Sequence, residues 1–354
     1  MEGKEIASPG RRRFFGTAAG AVAAATVATQ LGMSKGARAE TVKASAAASA
    51  ATLSSSYSFG PVQQIDAGEL NVGYVDIGPA DGTAVMLLHG WPYDIYSYAQ
   101  VAPLLADAGY RVIVPFLRGY GSTTFLSSET FRNGQQSVLA VDSLALMDAL
   151  GIGQAVFAGF DWGGRAADIV AALWPERCKG LVSADGYLIV NRTAYQQPLL
   201  PAAELNWWFQ YYFATERGVL GLQENRSALA QLIWQHNSPD WNFDQATFDQ
   251  TAAAFDNPDY VSVVVQAYRW RLGLAPGDPQ LDGIENELAQ YPAIGVPAIT
   301  IDGASDPFEP AGDGASYRVR FTGKYEHRTL QVGHNPPQED PQAFAQAVID
   351  VDNL

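Results

Sequence analysis

Gly159-Phe160-Asp161-Trp162-Gly163-Gly164 is the most informative segment of this chain. It follows a short apolar run, Ala155 to Ala158, and opens a helical stretch, Trp162 to Trp174, that Pro175 stops. Glycines at 159, 163 and 164 permit a tight, strained turn that lifts the central side chain above a sheet. Turns of this kind usually carry serine at the centre; here it is Asp161. A carboxylate is a poor nucleophile toward the carbonyl carbon of an ester or amide. It can displace a leaving group at an alkyl carbon and form an alkyl-enzyme ester. The structural alternative is an ordinary helix-capping aspartate.

Outward from that turn, short apolar runs alternate with helical stretches. Leu70 to Ile77, Ala84 to Leu88, Arg111 to Phe116, Ala155 to Ala158 and Gly180 to Ser183 read as strands. Ile95 to Ala108 and Gly134 to Leu150 read as helices. This order implies a mostly parallel sheet with helices on both faces, spanning 61–186. Residues 187–292 change character: they hold five of the eight tryptophans (207, 208, 234, 241, 270) and read as a helical cap inserted late in the sheet. Such a cap belongs over the strand ends, where this kind of sheet binds ligands. The strand–helix pattern returns over 293–354, with Val296 to Ile301, Arg328 to Val332 and Gln338 to Val351.

Three features support a catalytic Asp161. His89-Gly90-Trp91-Pro92 ends an apolar strand, where an oxyanion-binding loop belongs. Val332-Gly333-His334 follows the last strand, where a general base would sit, and Asp306 follows the strand before it and is placed to orient that histidine. The chain order nucleophile, acid, base is the one expected of this architecture.

Composition narrows the alternatives. With 47% apolar and 17% charged residues over 354 positions, the chain can bury a large core and is too apolar to be disordered. Its one cysteine, Cys178, excludes an internal disulfide framework and a cysteine-rich metal site. A net charge of −15 argues against a nucleic-acid partner. Residues 1–39 read as an export leader: Arg11-Arg12-Arg13-Phe14-Phe15, a mildly apolar run from Gly16 to Leu31, then Ala37-Arg38-Ala39 for cleavage. The twin arginine resembles a bacterial Tat signal. A periplasmic or secreted location is therefore expected, without stable membrane insertion, since the apolar run is shorter than about 20 residues. Residues 40–60 read as a flexible linker. No cofactor or metal is expected, and the apolar cap could carry a homodimer contact.

The motifs HGWP at 89–92, RGYGS at 118–122, GFDWGG at 159–164, GASDP at 303–307 and GHNPPQEDP at 333–341 resemble those of the α/β-hydrolases with an aspartate nucleophile, the soluble epoxide hydrolases and haloalkane dehalogenases. The resemblance covers about 61–354. It implies that Asp161 attacks an electrophilic carbon, that His334 with Asp306 activates water against the resulting ester, and that the backbone N–H groups of Trp91 and Trp162 bind the oxyanion. Asp185 is a reserve orienting acid, because some dehalogenases place theirs there. His89 reads as a loop brace, and His236 and His327 as surface or packing residues.

An epoxide needs an acid for its departing oxygen, and epoxide hydrolases of this kind use two cap tyrosines. Tyr268, in a Tyr-Arg context, resembles the second. The first should lie in 207–213, but the matching position is Phe209, so Tyr211 or Tyr212 substitutes, or Tyr268 acts alone. Phe209, Gln210 and Tyr212 are expected to line a mostly apolar substrate. Trp162 matches a halide-binding tryptophan of the dehalogenases, though it also occurs in epoxide hydrolases. Arg165 resembles a carboxylate-binding arginine of the fluoroacetate dehalogenases, but Trp162 stands where its partner arginine would be, which disfavours a small haloacid. Epoxide hydrolysis, haloalkane dehalogenation and a non-catalytic hydrolase-like binding role are thus the functional readings, in that order.

Overall fold

A computed structural model describes residues 57–308 and 311–354. The expected leader and most of the linker lie outside the described residues. The strands are β1 (Gln63–Ala67), β2 (Leu70–Ile77), β3 (Ala84–Leu88), β4 (Arg111–Pro115), β5 (Thr124–Phe125), β6 (Ala155–Gly159), β7 (Cys178–Ala184), β8 (Ala298–Gly303) and β9 (Tyr325–Leu330). They form one sheet in the order β1-β2-β4-β3-β6-β7-β8-β9, with β5 paired to β2. β2 runs antiparallel to β1, β4 and β5, and every other pairing is parallel. β3, β6 and β8 are buried along their whole length, which is why they read as unbroken apolar runs rather than alternating ones.

Helices α1 (Val101–Asp107), α2 (Gln136–Ala149) and α3 (Asp161–Leu173) belong to the N-terminal half of this sheet domain. Between β7 and β8 the chain forms α4 (Pro201–Asn206), α5 (Trp208–Ala214), α6 (Glu216–Glu224), α7 (Arg226–Asn237), α8 (Gln245–Ala252), α9 (Tyr260–Arg271) and α10 (Asp282–Leu288). After β8 come α11 (Ala315–Arg318), α12 (Pro336–Glu339) and α13 (Pro341–Asp352). The expected class, a mostly parallel sheet flanked by helices with a helical segment late in the chain, is the one observed.

Four elements differ from expectation. The helix anticipated over 95–108 is instead a 3₁₀ turn, Ile95–Tyr98, followed by α1. Proline at 103 has no N–H and would clash with the carbonyl of residue 99, so one continuous helix cannot form. β1 escaped notice because it is a polar, largely exposed edge strand, joined to β2 by a two-residue turn at Gly68-Glu69. β5 is too short to carry a period. The final strand lies at 325–330 rather than 328–332: it is a half-exposed edge, and Val332 has already left the ladder to accept a hydrogen bond from the Ser305 N–H. No described helix is long and apolar enough to cross a membrane.

Candidate active site

The turn after β6 places Asp161 at the first residue of α3 with φ +51°, a left-handed conformation that non-glycine residues rarely adopt. Close packing enforces it. A Cβ on Gly163 would lie 2.0 Å from the Leu88 carbonyl oxygen at the end of β3. A Cβ on Gly90 would lie 2.5 Å from the Cβ of Asp161. The elbow and the HGWP loop can meet only because both positions lack side chains, and the meeting brings the Trp91 N–H to 2.7 Å from Asp161 Oδ1.

The loop after β9 carries His334. Its Nε2 lies 3.8 Å from Asp161 Oδ2, and its Nδ1 lies 2.5 Å from Asp306 Oδ2 and 3.4 Å from Asp185 Oδ2. The structure therefore brings both candidate acids, from the loops after β7 and β8, to the same imidazole nitrogen. Asp306 makes the short contact. Asp185, itself at φ +69°, is the more distant.

The site is buried, and its titration follows from competing charges. Burial opposes ionisation of Asp161, but His334 and the N–H groups of Trp91 and Trp162 outweigh it and hold the carboxyl below its ordinary range. Burial likewise opposes a charged His334, yet the charges of Asp306 and Asp185 and the hydrogen bonds to Asp161 and Asp306 hold the imidazole well above its ordinary value. Asp185 goes the other way. Burial, then the Asp306 charge, push it well above the carboxylate range, toward the protonated form.

Tyr268, on α9, faces this centre from the cap. Its hydroxyl accepts a hydrogen bond from Trp162 Nε1 at 3.2 Å, and its ring meets those of Trp91 and Trp162 edge-on. Burial and then the Asp161 charge raise its pKa well above 10, so it stands as a neutral phenol. Phe209 packs on Trp91 and Tyr268 at ring-centre distances of 5.0 and 5.3 Å. The other cap candidates are engaged elsewhere. The Gln210 amide is bonded to the Tyr195 hydroxyl, and Tyr211 is exposed, bonded to Glu204. The Tyr212 ring lies against Trp208 and Phe213, with its hydroxyl over Gly221. A cavity of about 30 Å³ lies beside Trp91, Trp162 and Tyr268, walled on its other sides by Leu117, Tyr120, Val263 and Ala267 and not lined by Asp161 or His334; it has room for on the order of one or two waters.

Of the remaining histidines, His89 accepts from the Leu117 N–H and contacts the Gly90 carbonyl, tying the HGWP loop to the end of β4. His236 is exposed at the edge of Phe308, and His327 lies beside Thr300 and Tyr317. Sequence reasoning missed Tyr260, whose hydroxyl takes the Trp91 indole N–H at 2.9 Å, and Arg271, buried three residues beyond Tyr268. The i, i+3 spacing on α9 was the available signal for Arg271; nothing local marks Tyr260.

The alpha/beta hydrolase fold family profile matches residues 83–341. A crystal structure from Klebsiella pneumoniae, provisionally named an epoxide hydrolase, is 60% identical and superposes with a TM-score of 0.82 over 84% of this chain and 99% of that one. Epoxide hydrolase B of Mycobacterium tuberculosis is 33% identical over 152 residues, so that the matched segment spans 39% of this chain and 42% of that enzyme. A haloalkane dehalogenase of Psychrobacter cryohalolentis is 28% identical over 80% of this chain and 89% of that enzyme.

Proposed function

This chain belongs to the alpha/beta hydrolase fold family, and on that premise we propose that it hydrolyses epoxides to diols through a covalent ester on Asp161. The ionised Asp161 attacks a ring carbon, the ring C–O bond breaks, and the departing oxygen takes the Tyr268 proton. His334, oriented by Asp306, then removes a proton from water. The hydroxide adds to the Asp161 carboxyl carbon, where the Trp91 and Trp162 N–H groups receive the oxyanion. The ester C–O bond breaks, the departing alkoxide takes the proton held by His334 to complete the diol, and the newly formed Asp161 carboxyl group returns its proton to the Tyr268 phenolate. The net change is water plus epoxide to diol.

One observation carries epoxide over halide. A halide-binding site needs free N–H donors, but the indole of Trp162 donates to Tyr268 and that of Trp91 to Tyr260. Among the described residues the Tyr268 O–H has no acceptor, and it is a proton donor, which an epoxide needs and a halide does not. The similarity to a haloalkane dehalogenase over most of both chains favours dehalogenation by the same triad as the second reading. Diol formation against halide release, assayed on a panel of epoxides and alkyl halides, separates the two. Replacing His334 by glutamine should trap the substrate mass on the peptide that contains Asp161. An unmodified peptide, with the wild type active on the same compound, excludes the covalent route. We also propose export through the twin-arginine leader, which Arg11→Lys with Arg12→Lys should block.

A further inference from the structure

Helix α3 carries Arg165 one turn beyond Asp161, and α9 carries Arg271 one turn beyond Tyr268. Both side chains are buried, at 4% and 6% exposure. Among the described residues, Nε and Nη1 of Arg165 and Nε of Arg271 have no hydrogen-bond partner. The guanidiniums rest only on rings: Arg165 on Trp162 at 4.8 Å, and Arg271 between Tyr195 at 4.3 Å and Trp207 at 4.7 Å. A ring face attracts a cation but offers its N–H groups no proper acceptor. Burial, and then the charge of Arg271, bring the Arg165 guanidinium down to about 10, while the Asp161 charge acts in the opposite sense.

Two buried like charges without a shared counter-ion are a costly arrangement. A second acid on the same helix does not neutralise them. Asp168, further along α3, is bonded to the Leu188 N–H and is pushed up by burial to about 7, close to its protonated form. Asp161 itself must stay available to the substrate. The missing component is an anion.

We infer that Arg165 and Arg271 form a subsite for a carboxylate carried by the substrate itself, joined by a short carbon chain to the epoxide. The inference rests on the epoxide-opening reading. Arg165 stands four residues after Asp161, about 6 Å of helix rise, which favours a short link between ring and carboxylate. Three unclaimed nitrogens on two guanidiniums suit two carboxylate oxygens. A dianion such as a phosphate would meet more repulsion from Asp161. The substrate is therefore a short epoxy acid, not the mostly apolar molecule expected from the aromatic cap. The second cation comes from the cap, at position 271, and not from the position after the nucleophile.

The test compares a terminal epoxypentanoate with the corresponding epoxypentanamide, together with unreactive pentanoate and pentanamide. The wild type should favour the epoxy acid in kcat/KM by roughly tenfold or more, a typical worth of a charge-assisted pair. Pentanoate should bind by calorimetry and raise Tm, and pentanamide should do neither. Arg271→Met and Arg165→Met should each collapse the acid-over-amide ratio toward one, and Arg271→Lys should restore part of it. Equal binding of pentanoate and pentanamide by the wild type overturns the subsite and needs no variant to fold. So does an undiminished acid preference in folded Arg271→Met. If pentanoate binds in an arginine-dependent way but neither epoxide alkylates Asp161, the subsite stands and the epoxide reading falls. If both epoxides are opened equally well and pentanoate does not bind, the reverse holds.

Discussion

On the proposed route, the protonation of one imidazole governs ester hydrolysis at this centre. Against burial, the Asp306 charge above all holds His334 well above its ordinary pKa, and a protonated imidazole cannot act as general base. Alkylation removes only the Asp161 hydrogen bond from His334, while the Asp306 charge, the largest cause of the raised value, stays in place, so the imidazole must still give up its proton before it can serve as base. Alkylation itself needs an ionised Asp161, which the lowered pKa of that carboxyl secures. The ester should therefore accumulate at low pH and disappear as pH rises, as rapid-quench mass spectrometry would show. The two acids on His334 should differ sharply. Asp306→Asn removes the 2.5 Å partner and should slow ester hydrolysis by about 100-fold or more. Asp185→Asn replaces a carboxyl already pushed toward its protonated form by a near-isostere and should cost only a few-fold. Single-turnover rates of both variants decide this, and equal losses would assign the two acids a joint role. Tyr268→Phe should slow ring opening by about 100-fold, read as burst rate, without slowing hydrolysis of a preformed ester. Asp161, Asp185, Asp306 and His334 were legible in sequence because each follows a strand. The partners that hold them were not. Tyr260 meets Trp91 only through the folding of a cap segment far along the chain.

At the level of elements, the elbow is the tightest joint. Gly163→Ala sets a methyl group against the Leu88 carbonyl and should destabilise the protein by on the order of 3 kcal/mol or lose soluble yield outright, as denaturant titration would measure. Phe209, on α5, packs over Trp91 and Tyr268, so α5 is the element a larger substrate would have to displace. Phe209→Ala should raise the kcat/KM ratio of bulky to small epoxides by several-fold while lowering Tm. An unchanged ratio would remove Phe209 from the entry path. The buried strands β3, β6 and β8 were readable as apolar runs because both faces are covered. The 3₁₀ break at Ile95–Tyr98 was obscured by apolar spacing that suits a helix until Pro103 is weighed. Edge elements such as β1 and β9 carry little period, since solvent on one side relaxes the choice of side chain.

For the whole molecule, two acids outside the reaction centre tie stability to pH. Asp94 is bonded to the Thr251 hydroxyl on α8, and Asp168 to the Leu188 N–H; burial pushes each up to about 7. A raised folded-state pKa on an acid means that the native chain holds protons the unfolded chain has released. Their contribution to stability should thus fall as pH rises from about 4 to about 7, then level off, by on the order of a few kcal/mol per group. Asp94→Asn and Asp168→Asn should each flatten that decline in urea titrations run below and above the window; parallel curves would contradict the assignment. The connections between the two layers also bear on the site. The Trp91 amide serves Asp161 while its indole is tethered to Tyr260, and the His334 N–H is anchored to the Asn237 carbonyl at the end of α7. A shift of α7 and α9 would therefore reach the Trp91 amide and the His334 loop together, two arms of one centre braced by a single roof.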